Sequence, residues 1–413
     1  MASRRAVDVP ARPGGIPAIP LLSRRSAFWA VAFAFLAVTA FSTAPSSLYG
    51  LIARREDLAP LTATIVYAVY AVGVVVSLLL VGHVSDWYGR RTVLIPALAV
   101  AVVAAVVFLV WDSLVGLLVG RVLTGLAVGA AVATATAFIA DLDAAPSGAP
   151  TRRAAIVATI ANIGGLGVGP LVAGLLAEDA ASALTLPFAV FLAALVVALG
   201  VVLLAPEGHA AVHPRPRYHP QRLAAPEQQR PQFAAAITGA FVSFAIGGLF
   251  AGLAGTFLAG PLHHPSPALT GLTIFLTFGT GVVVQTTTTG WPAHRLVAAG
   301  IAPMVVGLGL LAVSAWMSPP SLALFLIAGV VAGSGVGALI RGSLTVVLSA
   351  SATDDRAGAL ATYFTAAYAG VSLPVVGLGV VLQHLSPRVT LLLFVVTAGI
   401  GILGTAPVLV RRP

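Results

Sequence analysis

The 413-residue sequence contains no cysteine and no lysine, and only 8% of its residues are charged. The absence of cysteine excludes disulfide bonds and thiolate metal sites. So few charges exclude an ordinary soluble domain, in which about a quarter of the residues are charged. All 22 basic residues are arginine, and the net charge is +9. A basic balance can indicate nucleic-acid binding, but these arginines cluster in short loops and terminal tails, which excludes that partner.

Hydrophobic residues make up 59% of the chain and fall in blocks of roughly 20, the length that an α-helix needs to cross a lipid bilayer. Twelve such blocks predict an all-α membrane protein, because lipid-facing backbone groups need hydrogen-bond partners within their own helix. Strands of a membrane barrel would be about half as long and would alternate in polarity. We expect the spans at 26–48, 60–82, 92–111, 113–140, 155–177, 184–205, 233–259, 269–290, 295–317, 321–348, 357–383 and 389–410.

A polar stretch rich in Pro, His, Gln and Arg divides the spans six and six. The sequence therefore predicts a tail at 1–25, a six-helix bundle at 26–205, a central loop at 206–232 and a second six-helix bundle at 233–410. The tail lacks the short apolar core and the small-residue cleavage site of a signal peptide. We expect it to be a cytoplasmic extension.

The arginines also predict the orientation in the membrane. With the N-terminus in the cytoplasm, 17 arginines lie in cytoplasmic loops and tails, whereas external loops hold Arg54, Arg55 and Arg388. Arg121 and Arg341 fall within predicted spans. Because positively charged loops stay on the cytoplasmic side, we expect both termini and the central loop in the cytoplasm, in a cell membrane. The abundance of Arg, Ala and Val is typical of a GC-rich bacterial gene.

The loop between the second and third spans combines one acid, two glycines and two arginines. Residues 82–91 read G-H-V-S-D-W-Y-G-R-R, and the notable positions are Gly82, Asp86, Gly89, Arg90 and Arg91. This loop resembles the signature G-x-L-[SAG]-D-R-x-G-R-R of the major facilitator superfamily. The resemblance implies a fold of two six-helix pseudo-repeats and a loop that latches them together on the cytoplasmic side. Trp87 replaces the arginine that normally follows the acid, so one latch contact is missing or is replaced by an aromatic contact.

A second motif lies in the fourth span, where residues 117–129 contain Arg121, Thr124 and Gly125. It resembles the family pattern L-x-x-x-R-x-x-Q-G, with Thr124 in place of Gln. A charge this deep in a span is costly unless it faces protein or water, so Arg121 should point into the bundle. Two roles stay open for it: a proton relay or substrate contact, and a structural arginine bound to backbone carbonyls.

A third motif in the fifth span comprises Gly165, Gly169, Pro170 and Gly174. Glycines four residues apart allow close helix packing, and a proline inside a helix kinks it. The pattern resembles G-x-x-x-G-P-x-x-G-G of drug:proton antiporters, with Ala173 in place of the first of the final glycines. The resemblance implies export by antiport, and the alternative is generic packing of small residues.

Several polar or amphipathic side chains inside spans are candidates to line a substrate cavity. They are Tyr67, Tyr70, Asn162, Gln285, Tyr363 and Tyr368. None of the 13 acids falls in the middle of a span, so the chain lacks a buried acid that could exchange a proton for a cation. Asp141 and Glu178, at span ends, are the nearest substitutes. His263 and His264 have no acid nearby in sequence, so we expect no metal site.

The resemblance implies a monomeric secondary transporter that works by alternating access, without a cofactor. We expect a small-molecule substrate, with the proton as the candidate coupling ion. The resemblance of the fifth-span motif implies efflux, and the apolar, acid-poor interior favours a small, largely apolar molecule over a strong cation or a sugar. An importer of a small metabolite and a non-transporting sensor or scaffold are the alternatives. A membrane enzyme would need a cluster of acids or histidines at one depth, which the sequence does not show.

Overall fold

The computed structural model describes residues 22–144, 151–180, 182–208, 217–226, 229–352 and 355–409. Within these ranges, twelve helices are long and apolar enough to cross a membrane, so the prediction of an all-α protein with twelve spans is confirmed. Residues 1–21 of the expected tail and parts of the expected central loop lie outside the described residues. The helices are α1 Arg24–Thr43, α2 Pro60–Val81, α3 Arg90–Val110, α4 Leu114–Leu142, α5 Arg152–Glu178, α6 Leu186–Leu203, α7 Arg230–Ala259, α8 Pro267–Thr287, α9 Ala293–Trp316, α10 Leu322–Ala350, α11 Arg356–Val381 and α12 Pro387–Leu409.

Local sequence explains where several helices begin. Ser113, Ser266 and Ser321 precede α4, α8 and α10, and each hydroxyl accepts a hydrogen bond from an amide three residues later. Such a cap satisfies one of the free amides in the first helical turn. Proline occupies the first turn of α2, α6, α7 and α8, where no backbone donor is lost.

The packing of α1–α6, which we call the N half, recurs in α7–α12, the C half. In the N half, α1 packs against α4, α5 and α6, α2 against α4, and α3 against α4 and α6. Adding six to each helix number gives the contacts of α7 with α10, α11 and α12, of α8 with α10, and of α9 with α10 and α12. The two halves are therefore structural repeats of one arrangement.

Two helix pairs, α5 with α8 and α2 with α11, form the main interface between the halves. Because each helix crosses once, the start of α1 and the end of α12 lie on one face, the terminal face, and we call the other the distal face. Near the distal face the backbones nearly touch: a Cβ added at Gly271 would lie 2.2 Å from Pro170 O. A Cβ added at Gly174 would lie 2.3 Å from Pro267 O. Glycine at both positions thus allows α5 and α8 to pack in close contact.

Candidate functional site

Two glycines shape the loop between α2 and α3 at the terminal face. Gly82 caps the C-terminal end of α2, and its amide donates to Leu78 O at 3.2 Å. Gly89 has a φ of +100°, which side-chain-bearing residues rarely adopt. A Cβ added at Gly89 would also lie 2.7 Å from a carboxylate oxygen of Glu207. The positive φ favours glycine at this position, and the close approach places Glu207 against the start of α3.

Arg90 is the centre of an ionic network at this face. Its guanidinium pairs with Asp86 and, through Nε at 3.0 Å, with Asp141 at the end of α4. The same guanidinium donates to Ser85 Oγ at 2.9 Å, and the Arg90 amide donates to Glu207 Oε1 at 2.7 Å. Charge-assisted hydrogen bonds of this kind are roughly twice as strong as neutral ones. The network therefore holds α3, α4 and the segment after α6 together.

Among the described residues, the hydrogen-bond and ion-pair partners of Asp86, Arg90 and Arg91 lie in the N half and in the segment directly after α6. Arg91 donates through its amide to Glu207 and through its guanidinium to Leu203 O at the end of α6. Glu207 belongs to none of the three sequence motifs and was not predicted as a site residue. Its position directly after the sixth span could have indicated a contact at the terminal face. The family resemblance implied a loop that contacts the C half. In this structure, residues 217–226 of the central loop bridge the halves at the terminal face.

Arg121 lies about two turns below the distal start of α4 and is 1% exposed. Its NH1 donates to Ser42 O at 2.7 Å, and its NH2 donates to Tyr67 O at 3.3 Å. Its Nε has no hydrogen-bond partner among the described residues. The ion pairs found in the described part of the chain do not include Arg121. Arg121 therefore carries an uncompensated positive charge inside the protein.

Aromatic rings surround this charge. The Arg121 guanidinium carbon lies 4.7 Å from the ring centroid of Tyr70 and 5.8 Å from that of Tyr67. These distances are within the range at which a cation is attracted to the face of an aromatic ring. Carbonyl oxygens and two rings thus make the buried guanidinium tolerable without a carboxylate partner.

The rings continue from the N half into the C half. The ring of Tyr70 lies 6.5 Å from that of Tyr368 on α11, which in turn lies 5.7 Å from that of Phe244 on α7. In the other direction, the ring of Tyr67 lies 6.1 Å from that of Tyr49. We call the group formed by Tyr49, Tyr67, Tyr70, Arg121, Phe244 and Tyr368 the central cluster.

Tyr49 was not predicted from the sequence. It lies on the short helix Tyr49–Arg55 just after α1, outside the centre of any apolar block. Its hydroxyl is buried and has no hydrogen-bond partner among the described residues, as is also true of Arg121 Nε. Buried polar groups normally have partners. The central cluster therefore contains two unused hydrogen-bond donors on either side of Tyr67.

Thr124 and Gly125 lie beside the central cluster and contribute to helix structure and packing. Thr124 Oγ1 donates to Gly120 O of its own helix at 2.6 Å. A Cβ added at Gly125 would lie 2.2 Å from Tyr70 O. Gly125 therefore lets α4 approach α2 closely enough for Arg121 to reach the rings on α2.

The motif of α5 faces two different helices. A Cβ added at Gly165 would lie 2.0 Å from Thr39 Oγ1, and one at Gly169 would lie 1.9 Å from Ala40 O, so both glycines pack against α1. Gly174 and Pro170 lie against α8, as described above. Just before this motif, Ile160–Gly164 forms a π-helical turn, an irregularity that is frequent at functional sites. The Thr39 hydroxyl donates to Ala161 O within this turn at 2.8 Å.

Three other cavity candidates lie outside the central cluster. Asn162 is part of the π-helical turn of α5. Gln285 is buried near the end of α8, and its backbone oxygen accepts a hydrogen bond from Arg341. Tyr363 is completely buried inside the C half, where its hydroxyl bonds to Ser343 Oγ at 2.9 Å and donates to Ile340 O at 3.2 Å. The structure thus brings Tyr67, Tyr70 and Tyr368 together, but not these three.

A contact between the halves also exists at the distal face. The carboxylate of Glu178, at the end of α5, accepts hydrogen bonds from Ser266 Oγ at 2.9 Å and from the Ala268 amide at 2.8 Å. Both donors belong to the first turn of α8, where the helix dipole also favours a negative charge. Glu178 therefore ties the N half to the C half at this face.

Groups of three or more His, Asp or Glu side chains that could hold a metal ion are not found among the described residues. The described residues therefore provide no set of ligands for a metal centre.

Comparisons with known proteins agree with this architecture. The family model of the Major Facilitator Superfamily matches residues 27–302. The solved nucleoside transporter NupG is similar in fold, with a TM-score of 0.72 and 10% identity, over 92% of this chain and 99% of that one. The peptide transporter POT in complex with alafosfalin has a TM-score of 0.74 and 13% identity, over 95% of this chain and 96% of that one.

The human organic anion transporter MFSD10 (TETRAN) gives a TM-score of 0.65 and 14% identity, over 93% of this chain and 100% of that one. Identities this low show a shared fold and do not transfer a substrate. Among curated protein sequences, none matches this chain.

Proposed function

Since this chain belongs to the Major Facilitator Superfamily, we propose that it exports a small, largely apolar molecule, neutral or anionic, by alternating access. The family match and the transporter neighbours indicate a membrane transporter and not an enzyme. The arginines at the terminal face support a cytoplasmic location for both termini. The α5 motif supports the drug:proton antiporter branch and thus the outward direction.

The central cluster is the observation that carries the proposal. In the N half, its rings come from α2 and from the short helix after α1, and Arg121 comes from α4. In the C half, its rings come from α7 and α11. Tyr70, Phe244 and Tyr368 lie near the middle of their helices. A group built from both halves at this depth is placed where transporters of this architecture bind substrate. Rocking of one half against the other would expose such a group to each face in turn.

The chemistry of the central cluster favours a particular substrate class. Aromatic rings offer flat apolar surfaces, and the unused donors on Arg121 and Tyr49 can bind an anionic or carbonyl oxygen. A cation placed about 5 Å from the Arg121 guanidinium would be repelled by roughly 3 kcal/mol at an effective dielectric of about 20. We therefore propose a planar, largely apolar substrate with an acceptor or anionic group, and exclusion of cations.

The proton is the proposed coupling ion, and the ends of helices are the proposed places for it. Acids are absent from the middle of the described spans, and the acids nearest to the transport path are Asp141 on α4 and Glu178 on α5. Asp141 lies in the Arg90 network, so a proton bound there would weaken that network. Transport driven by a pH gradient would support this part of the proposal.

The test uses vesicles of defined orientation that contain the wild type, Arg121→Lys or Arg121→Ala. We expect the wild type to move substrate away from the terminal face when a pH gradient is imposed. Lysine keeps the charge but loses the planar fork that reaches Ser42 O and Tyr67 O together. Both variants should therefore lose transport at normal membrane abundance.

Arg341→Lys is the matched control, because Arg341 also lies within a span and donates to a backbone oxygen, that of Gln285. This control should keep substrate selectivity. If transport by the Arg121 variants falls only as much as their abundance in the membrane, Arg121 has a structural role and the proposed site is overturned. Accumulation towards the terminal face would instead identify an importer, and the absence of transport across a broad compound panel would favour the sensor or scaffold.

A further inference from the structure

Residues 217–226 of the central loop cross the terminal face and bind both halves, and we call this segment the strap. The Gln221 amide donates to Leu79 O at the end of α2 at 2.8 Å. Three residues later, the Ala224 amide donates to Gly358 O at the start of α11 at 3.2 Å. The strap is thus bound by its backbone to α2 of the N half and to α11 of the C half.

Side chains reinforce both attachments. The Tyr218 hydroxyl donates to Leu80 O at 3.1 Å, and the Thr362 hydroxyl of α11 donates to Ala224 O at 2.8 Å. Gly358 leaves the room that the strap occupies, because a Cβ there would lie 2.6 Å from the Cβ of Ala224. Four hydrogen bonds and a close backbone contact therefore position the strap on α2 and α11.

An aromatic stack joins the strap to the loop between α2 and α3. The imidazole of His83 is nearly parallel to that of His219, with ring centroids 5.8 Å apart, and stacks on Tyr218 at 6.0 Å. Trp87 packs edge-on against His83 at 4.7 Å and against His219 at 5.8 Å. The position where the family signature has an arginine thus contributes an aromatic contact to the strap.

The length of the strap limits how far its attachments can separate. Three residues span at most about 11 Å when fully extended. With Gln221 and Ala224 both bound, Leu79 O and Gly358 O cannot separate beyond that span plus two hydrogen bonds of 2.8 and 3.2 Å. Any larger opening of α2 from α11 at the terminal face must break one attachment.

We propose that the strap is a positioning segment of the transport cycle: it limits opening at the terminal face and must release one half for wider opening. The proposal rests on alternating access as described above, because it requires the halves to move. It does not depend on the identity of the substrate, so it can fail or succeed separately.

Release of the strap should depend on pH at the terminal face. Burial and the neighbouring His219 lower the pKa of His83 below its ordinary value of 6.5, and Asp86 opposes this effect less strongly. The groups that face this imidazole are Tyr218 and His219 of the strap and Asp86 of its own loop. A bound strap therefore favours uncharged His83, and its attachment weakens as the pH falls below about 6.5.

Spin-label distances test the proposal directly, because the chain contains no cysteine that would compete for label. Arg152→Cys and Ala357→Cys place labels on exposed residues at the starts of α5 and α11 in opposite halves. We expect Tyr218→Phe with Thr362→Val to raise the population of long label distances in lipid nanodiscs several-fold. Inserting three glycines after Arg222 should do the same without removing a side chain.

Thr397→Val is the matched control, since the Thr397 hydroxyl bonds to the backbone of its own helix, α12, and this variant should give wild-type distances. Lowering the pH from about 7.5 to 5.5 should lengthen distances in the wild type but much less in His83→Phe, which keeps an aromatic ring in the stack and removes the titrating imidazole. Unchanged distances in both the double variant and the glycine insertion would overturn the proposal. Equal pH responses of the wild type and His83→Phe would overturn the pH-dependent release.

Discussion

At the scale of single residues, the buried guanidinium of Arg121 is held by two backbone oxygens and the faces of two tyrosine rings. The depth of Arg121 follows from counting along the fourth span, and its burial is found in the structure. Its partners were not predictable, because Ser42, Tyr67 and Tyr70 come from other helices and bind it mostly through backbone oxygens and ring faces. Because every residue has a backbone carbonyl, a sequence motif cannot indicate which of them accepts a hydrogen bond.

The ionic network at the terminal face gives the residue-scale prediction. Asp86 is 58% exposed at its side chain and Asp141 is 27% exposed, whereas the Arg90 side chain is 11% exposed. Exposed ion pairs contribute about 0.2–1 kcal/mol, so Asp86→Asn should lower transport by a few-fold at normal abundance. Asp141→Asn should lower transport more, because the nearly buried Arg90 guanidinium would then be paired only with Asp86, which is the more exposed acid. Initial transport rates per folded molecule measure both effects, and wild-type rates in both variants would contradict the role of this network.

At the scale of helices, the spans were predictable because length and apolar composition alone decide whether a helix crosses a bilayer. The ends moved by a few residues, since a polar residue such as Arg90 can begin a helix when its side chain and amide find partners. The π-helical turn in α5 and the bound strap were not predictable. Both depend on contacts with distant segments, such as the bond from Thr39 to Ala161 O.

Helix α5 gives the prediction at this scale. Pro170 lies inside the helix, removes one backbone hydrogen bond and packs against α8 at Gly271. Alanine at this position restores a donor, and proline in a helix interior is about 3 kcal/mol less favourable than alanine. Pro170→Ala should therefore keep or raise thermal stability and straighten α5 while lowering turnover several-fold.

Turnover and melting temperature measured on the same preparation distinguish the two effects. Pro303→Ala in the interior of α9 is the matched control and should leave turnover near that of the wild type. Unchanged turnover in Pro170→Ala, or failure of that variant to fold, would speak against a dynamic role of α5.

At the scale of the whole molecule, the halves are joined differently at the two faces. Near the distal face, α5 and α8 touch through glycines, and Glu178 accepts two hydrogen bonds from the first turn of α8. At the terminal face, the strap connects α2 and α11. Alternating access then requires the Glu178 contact to break when the distal face opens and the strap attachments to break when the terminal face opens widely.

Glu178→Gln tests the distal contact, because glutamine keeps the size and removes the charge that favours the helix N-terminus. Spin labels at Ser182→Cys and Met317→Cys lie at exposed distal positions in opposite halves. In Glu178→Gln, we expect the population of long distances between these labels to rise a few-fold. The effect should be modest because Glu178 is exposed and solvent screens its interaction with the helix N-terminus. Asp179→Asn, the same chemical change at the next residue, should not alter the distances, and an equal effect of both variants would remove Glu178 from the proposed gate.

The central claim is a mid-membrane site whose deep charge is the positive one of Arg121. The most direct measurement compares transport of three aromatic compounds of equal size, one anionic, one neutral and one permanently cationic, by the wild type in proteoliposomes. With a repulsion of roughly 3 kcal/mol at about 5 Å, we expect the anionic or neutral compound to be transported at least about 100-fold more efficiently than the cation. Equal or preferred transport of the permanent cation would contradict the proposed role of Arg121 and the central cluster.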